Sequence, residues 1–206
     1  MKQGSKQLGK AFLGLALGLV WLIPFYLMLT NSFKTKQEIF TNPLKFPEAF
    51  TFENYPEAFR QLDFIRTLAN SLLITVSSVI IIVIFSAMAA YALERIKSKF
   101  STVTFMVFVA AMLVPFQSVM IPLVALFGKA QMLNQIGIIF MYLGFGGSMS
   151  IFLYHGAMKS IPRALDEAAI IDGASRWQVF WKVIFPMLKP TTVTVAVLNT
   201  MWIWND

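Results

Sequence analysis

Four long apolar runs constrain this chain more than any other feature, because each is long enough to cross a membrane as a helix. A hydrocarbon core about 30 Å thick needs roughly 20 apolar residues of α-helix. The runs cover residues 11–30, 68–93, 101–127 and 136–158, and a fifth begins after Pro190. With 57% hydrophobic and 13% charged residues, the chain is too apolar for an ordinary soluble domain. We therefore predict an all-α integral membrane protein, a polytopic bundle of transmembrane helices.

The first apolar run has two interpretations. Lys2, Lys6 and Lys10 precede it, and basic residues also precede the apolar segment of a secretory signal peptide. However, the run is longer than a usual signal segment, and residues 31–33 follow it without a small-residue cleavage site. We therefore favour a retained transmembrane helix. On this interpretation residues 1–67 hold the first helix and an outer loop, and residues 68–206 form the main transmembrane domain.

The positive charges predict the orientation of these helices. Eleven of the 17 lysines and arginines precede the first run or lie in residues 94–100 and 159–189. Since loops rich in Lys and Arg stay in the cytoplasm, we expect these segments and the N-terminus inside. The loop of residues 31–67 is then outside. It mixes aromatics, prolines and balanced charge, which favours an interfacial segment over a folded domain. It either docks an external partner or packs on the helix ends.

Several function classes are disfavoured. The chain has no cysteine and a single histidine, His155, so thiolate metal sites are excluded and no metal-ligand cluster is visible. No pairing of a nucleophile with a base is visible either, and we expect no enzymatic activity. The formal charge of +7 is distributed between apolar runs rather than on one basic face. Nucleic-acid binding is therefore not expected.

Residues 160–189 predict two short helices joined by a tight turn, on the cytoplasmic side. Ser160 and Pro162 favour a helix start, so that residues 161–172 form the first helix. Gly173 permits the positive φ of a turn. Ser175 and Gln178 have the spacing of a capping box, which predicts a second helix, and we expect Pro186 and Pro190 to mark its end. The residue pattern alone equally fits an amphipathic hairpin on lipid headgroups.

The stretch "EAAIIDGASRWQVFWKVIFP" resembles a known signature. It is similar to the E-A-A-x3-G-x9-I-x-L-P motif of the permease subunits of binding-protein-dependent ABC importers, with Val183 and Phe185 in place of Ile and Leu. "IPRALDEAAIIDGA", "AAYALER", the "NY" of the outer loop and the final "WND" resemble the carbohydrate branch, in particular the maltose-type subunit. The resemblance implies that the helix-turn-helix couples to an ATPase subunit. The residues that match the signature are Glu167, Ala168, Ala169, Asp172, Gly173 and Pro186.

The same resemblance implies the partners and the solute. We expect a homologous second permease, two ATP-binding subunits and an extracytoplasmic solute-binding protein, in a bacterial cell membrane. The expected solute is a sugar, in particular an oligosaccharide; a non-sugar solute is the alternative. The chain has no G-x4-G-K-[ST] phosphate loop, so it needs no cofactor of its own and ATP must bind to a partner. A secondary transporter is disfavoured because the first four runs contain no Asp, Glu, Lys or Arg to carry a coupling ion.

Polar and helix-breaking residues within the runs indicate a solute pathway. Pro115, Gln117 and Pro122 interrupt the third run, and a group of glycines and serines around Gly144 is predicted to break the fourth. Such residues are tolerated at membrane depth only where they face protein or water. Helix packing through small residues is the alternative for the glycines. The candidate pathway residues are Gln117, Gly144, Gly147, Asn199 and Asn205.

The fifth run is short, with 16 residues after Pro190. A terminal carboxylate and Asp206 would then lie in or near the apolar layer, where one Asp at a helix centre costs about 2.5–3.5 kcal/mol. In the family that the chain resembles, "WND" lies within a span. We therefore expect the native chain to continue beyond Asp206, with the rest of this span and one more.

Overall fold

The computed structural model describes residues 2–206, with the side chains of residue 7 and of residues 9–206. All regular structure in this part of the chain is helical. The chain forms two compact units, the first ending at Leu68 and the second covering residues 69–206. The helices are α1 (Lys2–Ser32), α2 (Lys36–Thr41), α3 (Asn54–Gln61), α4 (Phe64–Arg95), α5 (Lys99–Ala111), α6 (Phe116–Lys129), α7 (Gln135–Met158), α8 (Ala164–Ile171), α9 (Arg176–Gln178), a π-helix (Val179–Ile184), α10 (Phe185–Met187) and α11 (Lys189–Trp204).

In the first unit, the loop after α1 folds back onto the end of that helix. The ammonium group of Lys34 is buried and donates to Asn31 Oδ1 at 2.9 Å and to the carbonyl oxygen of Asn42 at 2.9 Å. Asn54 Nδ2 donates to the carbonyl oxygens of Ser32 at 2.9 Å and Lys34 at 2.7 Å. Buried polar groups that are satisfied in this way fix a single conformation. The loop is thus an ordered cap on the helix end.

The second unit is built around α7, which packs against α5 and α11. Its core includes Ile82 of α4, Tyr154 and Met158 of α7, Ile184 of the π-helix and Val195 of α11, all fully buried. This core therefore joins the long helices to the chain segment that follows α7.

Within the described residues 2–206, three helices are long and apolar enough to cross a membrane: Gly9–Ser32, Phe64–Arg95 and Gln135–Met158. Two bent helix pairs raise the number of candidate spans to as many as five. The third apolar run is interrupted at Pro115, as the sequence predicted, whereas Pro122 lies within a continuous helix. The run forms α5 and α6, which meet at a bend of 102°. Pro115 precedes α6 with extended backbone angles (φ −63°, ψ 132°), and its ring removes a backbone donor and disfavours α-helical geometry at the residue before it.

The fourth apolar run, unlike the third, is not interrupted. The prediction that glycines and serines break it was wrong, because α7 is continuous from Gln135 to Met158. Gly146 and Gly147 are buried and allow neighbouring side chains to approach the helix closely. Helix packing through small residues, the alternative interpretation, explains them.

The helix-turn-helix is present with different boundaries. The first helix is shorter than the predicted residues 161–172 and spans Ala164–Ile171. The second starts as predicted, but Pro186 lies within its last turn and Pro190 lies in the first turn of α11. The chain bends by 76° between Arg176–Met187 and Lys189–Trp204. The end of the second helix is therefore at Leu188 rather than at either proline.

Candidate functional site

A buried ion pair attaches α8 to the end of α4. Arg95 Nη2 lies 2.8 Å from Asp166 Oδ2, and Arg95 Nε donates to Asp166 Oδ1 at 3.2 Å. The Tyr91 hydroxyl donates to the same Oδ1 at 2.7 Å. Asp166 is only 8% exposed, so its charge depends on these partners. A two-point arginine–carboxylate pair also fixes orientation as well as distance.

A second group of contacts connects α7 to the same place. His155 Nε2 of α7 lies 3.2 Å from Glu94 Oε2. Arg163, immediately before α8, donates through Nη2 to the carbonyl oxygen of Glu94 at 2.6 Å. Arg95 Nη2 also donates to the carbonyl oxygen of Ile161 at 3.3 Å. We call these six side chains the polar clamp: Tyr91, Glu94, Arg95, His155, Arg163 and Asp166.

The polar clamp makes α8 part of a larger rigid unit. A helix of 8 residues has little stability by itself, since isolated helices shorter than about 12–15 residues are marginal in water. The polar clamp stabilises this helix, together with the half-buried residues Leu165 and Ala169, which pack on the core. A displacement of α8 therefore has to move the ends of α4 and α7 with it.

The opposite side of α8 is open. Glu167, Ala168 and Asp172 are exposed, and Ile171 is 84% exposed. This side combines two acids, a small residue and a branched apolar residue at the tip of the helix-turn-helix. We call these four residues, with Gly173, the α8 outer surface. Of the signature residues, Ala169 and Pro186 lie outside it, since Ala169 faces the core and Pro186 is exposed on the last turn of α10.

The turn after α8 has a well-defined geometry. Gly173 has φ +85°, its N–H donates to the carbonyl oxygen of Ile170 at 3.0 Å, and the N–H of Ala174 donates to that of Ala169 at 3.0 Å. These two bonds form a Schellman motif, which requires a left-handed residue after the helix. The predicted capping box is also confirmed: Gln178 N–H donates to Ser175 Oγ at 3.3 Å, and Ser175 N–H donates to Gln178 Oε1 at 2.8 Å.

The π-helix after this turn sets which side chains face the core. A π-helix has wider turns than an α-helix and occurs often at functional sites. Val179, Phe180 and Ile184 are buried, whereas Trp177 remains 58% exposed. The Trp177 ring contacts Trp181, with ring centroids 5.6 Å apart. The second helix is thus fixed to the core at its middle, and its N-terminal end lies beside the α8 outer surface.

Two of the candidate pathway residues line one cleft at the break between α5 and α6. The cleft has a volume of about 370 Å³ and contains Gln117 and Asn199, together with Pro115, Gly146 and Trp202. Asn199 is 5% exposed and donates through Nδ2 to Ser150 Oγ at 3.0 Å and to the carbonyl oxygen of Val195 at 2.8 Å. We call it the membrane cleft. Its lining is polar at the two amides and apolar elsewhere.

The other pathway candidates lie elsewhere. Gly144 is exposed and does not line the membrane cleft, and Asn205 is exposed just after α11. Gly147 lies against α4, where Ser86 Oγ is 3.5 Å from its carbonyl oxygen. Gly146 belongs to the group of glycines and serines around Gly144 but not to the candidate pathway residues, and it is the close neighbour of Asn199: a Cβ at Gly146 would collide with Asn199 Oδ1.

The polar clamp is the part of the site that sequence reasoning missed. Arg95 and Asp166 are 71 positions apart, and no motif connects them. One signal was present: Asp166 lies next to Leu165 and three residues before Ala169, so an acid falls on the core-facing side of α8. An ionisable residue in that position needs a partner of opposite charge. The basic residues at the ends of the apolar runs were the candidates for this partner.

Comparison with known proteins gives consistent results. Residues 82–206 match the family model described as "Binding-protein-dependent transport system inner membrane component". The chain is 56% identical over 195 residues to a probable starch degradation products transport system permease protein of Thermoanaerobacterium thermosulfurigenes, covering 95% of this chain and 71% of that protein. It is 36% identical to a multiple sugar-binding transport system permease protein of Streptococcus mutans, covering 92% of this chain and 69% of that protein.

A solved structure shares the fold. The crystal structure of a bacterial ABC transporter involved in the import of the acidic polysaccharide alginate contains a chain that matches this one with a TM-score of 0.84 and 26% sequence identity. The match covers 100% of this chain and 73% of that chain. The bent pair α5 and α6 and the helix-turn-helix thus occur in a chain that is similar throughout to a transporter subunit.

Proposed function

The chain belongs to the binding-protein-dependent transport system inner membrane components, and from this premise we propose that it forms half of the membrane path for a sugar in an ATP-driven importer. The observation that best supports this proposal is the 56% identity, over 95% of the chain, to a permease named for starch degradation products. An oligosaccharide of glucose is the solute class that this relative supports. The chain itself is a permease subunit and carries out transport rather than catalysis.

The membrane cleft supports a neutral solute. Its described lining residues include two amides, Gln117 and Asn199, and no charged side chain. Amides both donate and accept hydrogen bonds, which suits hydroxyl groups, and Trp202 offers an aromatic face. An acidic polysaccharide such as the alginate handled by the structural neighbour would need cationic partners. The cleft therefore favours an uncharged sugar.

The α8 outer surface is the proposed contact for an ATP-binding subunit. Glu167, Ala168, Asp172 and Gly173 all lie on it, and it is the tip of the structure's helix-turn-helix. Ile171, at 84% exposure, leaves a branched apolar side chain uncovered in the chain alone. Burying it against a partner removes apolar surface from water, which stabilises the contact. Ala168 lets the partner approach closely because its side chain is small.

The polar clamp gives the coupling a physical path. When an ATP-binding subunit moves the α8 outer surface, Asp166 on the opposite side of the same helix turn moves with it. Arg95 and Tyr91 then transmit the displacement to α4, and Arg163 and Glu94 transmit it towards His155 of α7. Both α4 and α7 are candidate membrane spans, and α7 contributes Gly146 to the membrane cleft. The proposed sequence of motion is thus α8, clamp, spans and cleft.

The remaining partners and the orientation belong to the same proposal. A homologous second permease completes the path, a pair of ATP-binding subunits supplies the energy, and an extracytoplasmic binding protein delivers the sugar. ATP binds to the partners, because this sequence lacks a phosphate loop. The distribution of Lys and Arg supports a cytoplasmic N-terminus and a cytoplasmic α8, in a bacterial cell membrane.

Uptake measurements test this proposal. Cells that lack the gene are supplied with labelled maltose, longer glucose oligosaccharides and an acidic oligosaccharide, with and without the gene restored. We expect restoration of neutral oligosaccharide uptake, and its loss when the ATPase of the partner is inactivated. Uptake that persists without ATP hydrolysis but follows an ion gradient would instead indicate a secondary transporter. Uptake of the acidic oligosaccharide alone would refute the solute assignment.

A further inference from the structure

A basic pocket lies between the end of α4, the start of α5 and the end of α7, apart from both the α8 outer surface and the membrane cleft. It has a volume of about 490 Å³. Its polar rim contains Lys97, Ser98, Lys99 and Lys159, and its apolar part includes Phe105. Within the described part of the chain, none of the three lysines forms an ion pair. Three cations thus surround a concave surface without a protein counter-ion.

The pocket lies where the membrane-spanning helices end. The candidate spans α4 and α7 end at Arg95 and Met158, and the three lysines follow these ends within four residues. This places their ammonium groups at the depth where hydrocarbon gives way to headgroups, since lysine stems lie along apolar surface while the charged group reaches the interface. The ligand that is abundant at this depth is the phospholipid headgroup.

The start of α5 adds a preference for anions. Ser98 caps this 13-residue helix by accepting a hydrogen bond from Ser101 N–H at 3.0 Å. The first N–H groups of a helix have no intrahelical partner, and together with the helix dipole they favour a phosphate. Lys97 and Lys99 flank this cap on both sides. The helix end and the lysines therefore act on the same volume.

Glu94, the acid in the pocket lining, does not neutralise the lysines. Its carboxylate lies 3.2 Å from His155 Nε2 and 4.0 Å from Arg163 Nη2, so it is held within the polar clamp. The ring of His155 stacks on Phe105 with centroids 3.9 Å apart, and Leu93 and Met106 extend the apolar lining. This apolar surface contributes nothing to the binding of an inorganic anion, whereas the acyl chains of a lipid pack against it.

We propose that this pocket binds the phosphate headgroup of an anionic phospholipid, with Lys97, Lys99 and Lys159 around the phosphate and the acyl chains along the Phe105 side. The bound lipid neutralises a cluster of positive charge directly beside the polar clamp. It therefore holds the ends of α4 and α7 together on the side where the clamp fixes α8. This role is independent of which solute the chain transports.

Native mass spectrometry of the purified chain, together with the subunits that co-purify with it, tests this site. The preparation is titrated with phosphatidylglycerol and separately with phosphatidylcholine, and the chain is released to show which subunit carries the lipid. We expect phosphatidylglycerol to bind this chain preferentially. Replacing Lys97, Lys99 and Lys159 by Gln is expected to weaken that binding by about fivefold for each lysine, since each contributes separately to attraction at an anionic surface.

The matched control is Lys129→Gln, which removes an exposed lysine at the end of α6, outside the pocket. It is expected to bind phosphatidylglycerol as the unmodified chain does. Equal binding of both lipids, or equal loss in the control, would overturn the proposal. Displacement of the lipid by millimolar inorganic phosphate would indicate a free-anion site instead. If the triple variant loses a co-purifying subunit without any change in lipid binding, the pocket is a protein contact.

Discussion

Arg95 and Asp166 form a two-point ion pair, with nitrogen–oxygen distances of 2.8 and 3.2 Å, between the last residue of α4 and the core-facing side of α8. The relationship is informative because Glu167, the neighbour of Asp166 in sequence, lies about 100° further round the helix and is exposed. Two adjacent acids therefore have different tasks. One holds α8 to the spans, and the other is available to a partner.

Asp166→Asn is the first test of this division. The substitution preserves shape but leaves the charge of Arg95 without its counter-ion, and breaking one side of a buried pair costs about 3–5 kcal/mol. We expect a lower thermal midpoint and reduced transport. Glu167→Gln is the matched control and should leave the midpoint within about 2 °C, because an exposed substitution changes stability by less than about 0.5 kcal/mol. Equal midpoints for both variants would mean that the pair contributes no attachment.

The α8 outer surface is tested by Glu167→Lys and, separately, Ile171→Asp. Both residues are exposed, so membrane insertion and the thermal midpoint should persist. Both changes should weaken the contact with the ATP-binding subunit, the first by reversing a charge and the second by removing apolar area. Co-purification of tagged subunits measures this directly. If both variants retain the ATPase and transport normally, the helix-turn-helix is an amphipathic hairpin on the lipid surface.

Gly173 tests the turn. A β-carbon there meets no atom within 4 Å, so the cost of a substitution comes from the backbone alone: φ +85° disfavours any L side chain, by roughly 1–2 kcal/mol. Gly173→Val should therefore reduce coupling more than Gly173→Asn, since Asn tolerates this region. Gly156→Ala is the control, because that helical glycine also has open space around it and should lose nothing. Transport assayed with ATPase activity separates lost coupling from lost folding.

The sequence predicted the helical membrane fold, the turn and the capping box, because hydrophobic length, a positive-φ glycine and Ser–Gln spacing are local signals. It also predicted the interruption at Pro115 that separates α5 from α6, but it did not predict that the glycines would leave α7 intact. A proline removes a backbone donor at any position in a helix. A glycine can either break a helix or allow close packing, and which of the two occurs depends on the side chains that pack against it. The Arg95–Asp166 pair was missed for the same reason, since its partners meet only after α4 and α8 are placed together.

Orientation can be measured in this cysteine-free chain. Glu53→Cys lies in the loop between α2 and α3, and Lys182→Cys lies on the exposed side of the π-helix. We expect an impermeant thiol reagent to label position 53 in intact cells and position 182 only after the membrane is opened. The reverse pattern would place α8 outside, where no ATP-binding subunit could reach it.

Gly146 and Gly144 provide a matched pair for the membrane cleft. A β-carbon at Gly146 would collide with Asn199 Oδ1 and lie 2.8 Å from Ile82 Cδ1, whereas one at Gly144 meets nothing within 4 Å. Gly146→Ala therefore pushes Asn199 out of its contacts with Ser150 and Val195, at a cost of about 1–3 kcal/mol for overpacking. Because Asn199 lines the cleft, we expect slower sugar uptake at unchanged ATPase binding. Gly144→Ala should transport normally, and a comparable loss in both variants would show that the effect comes from the helix rather than from the cleft.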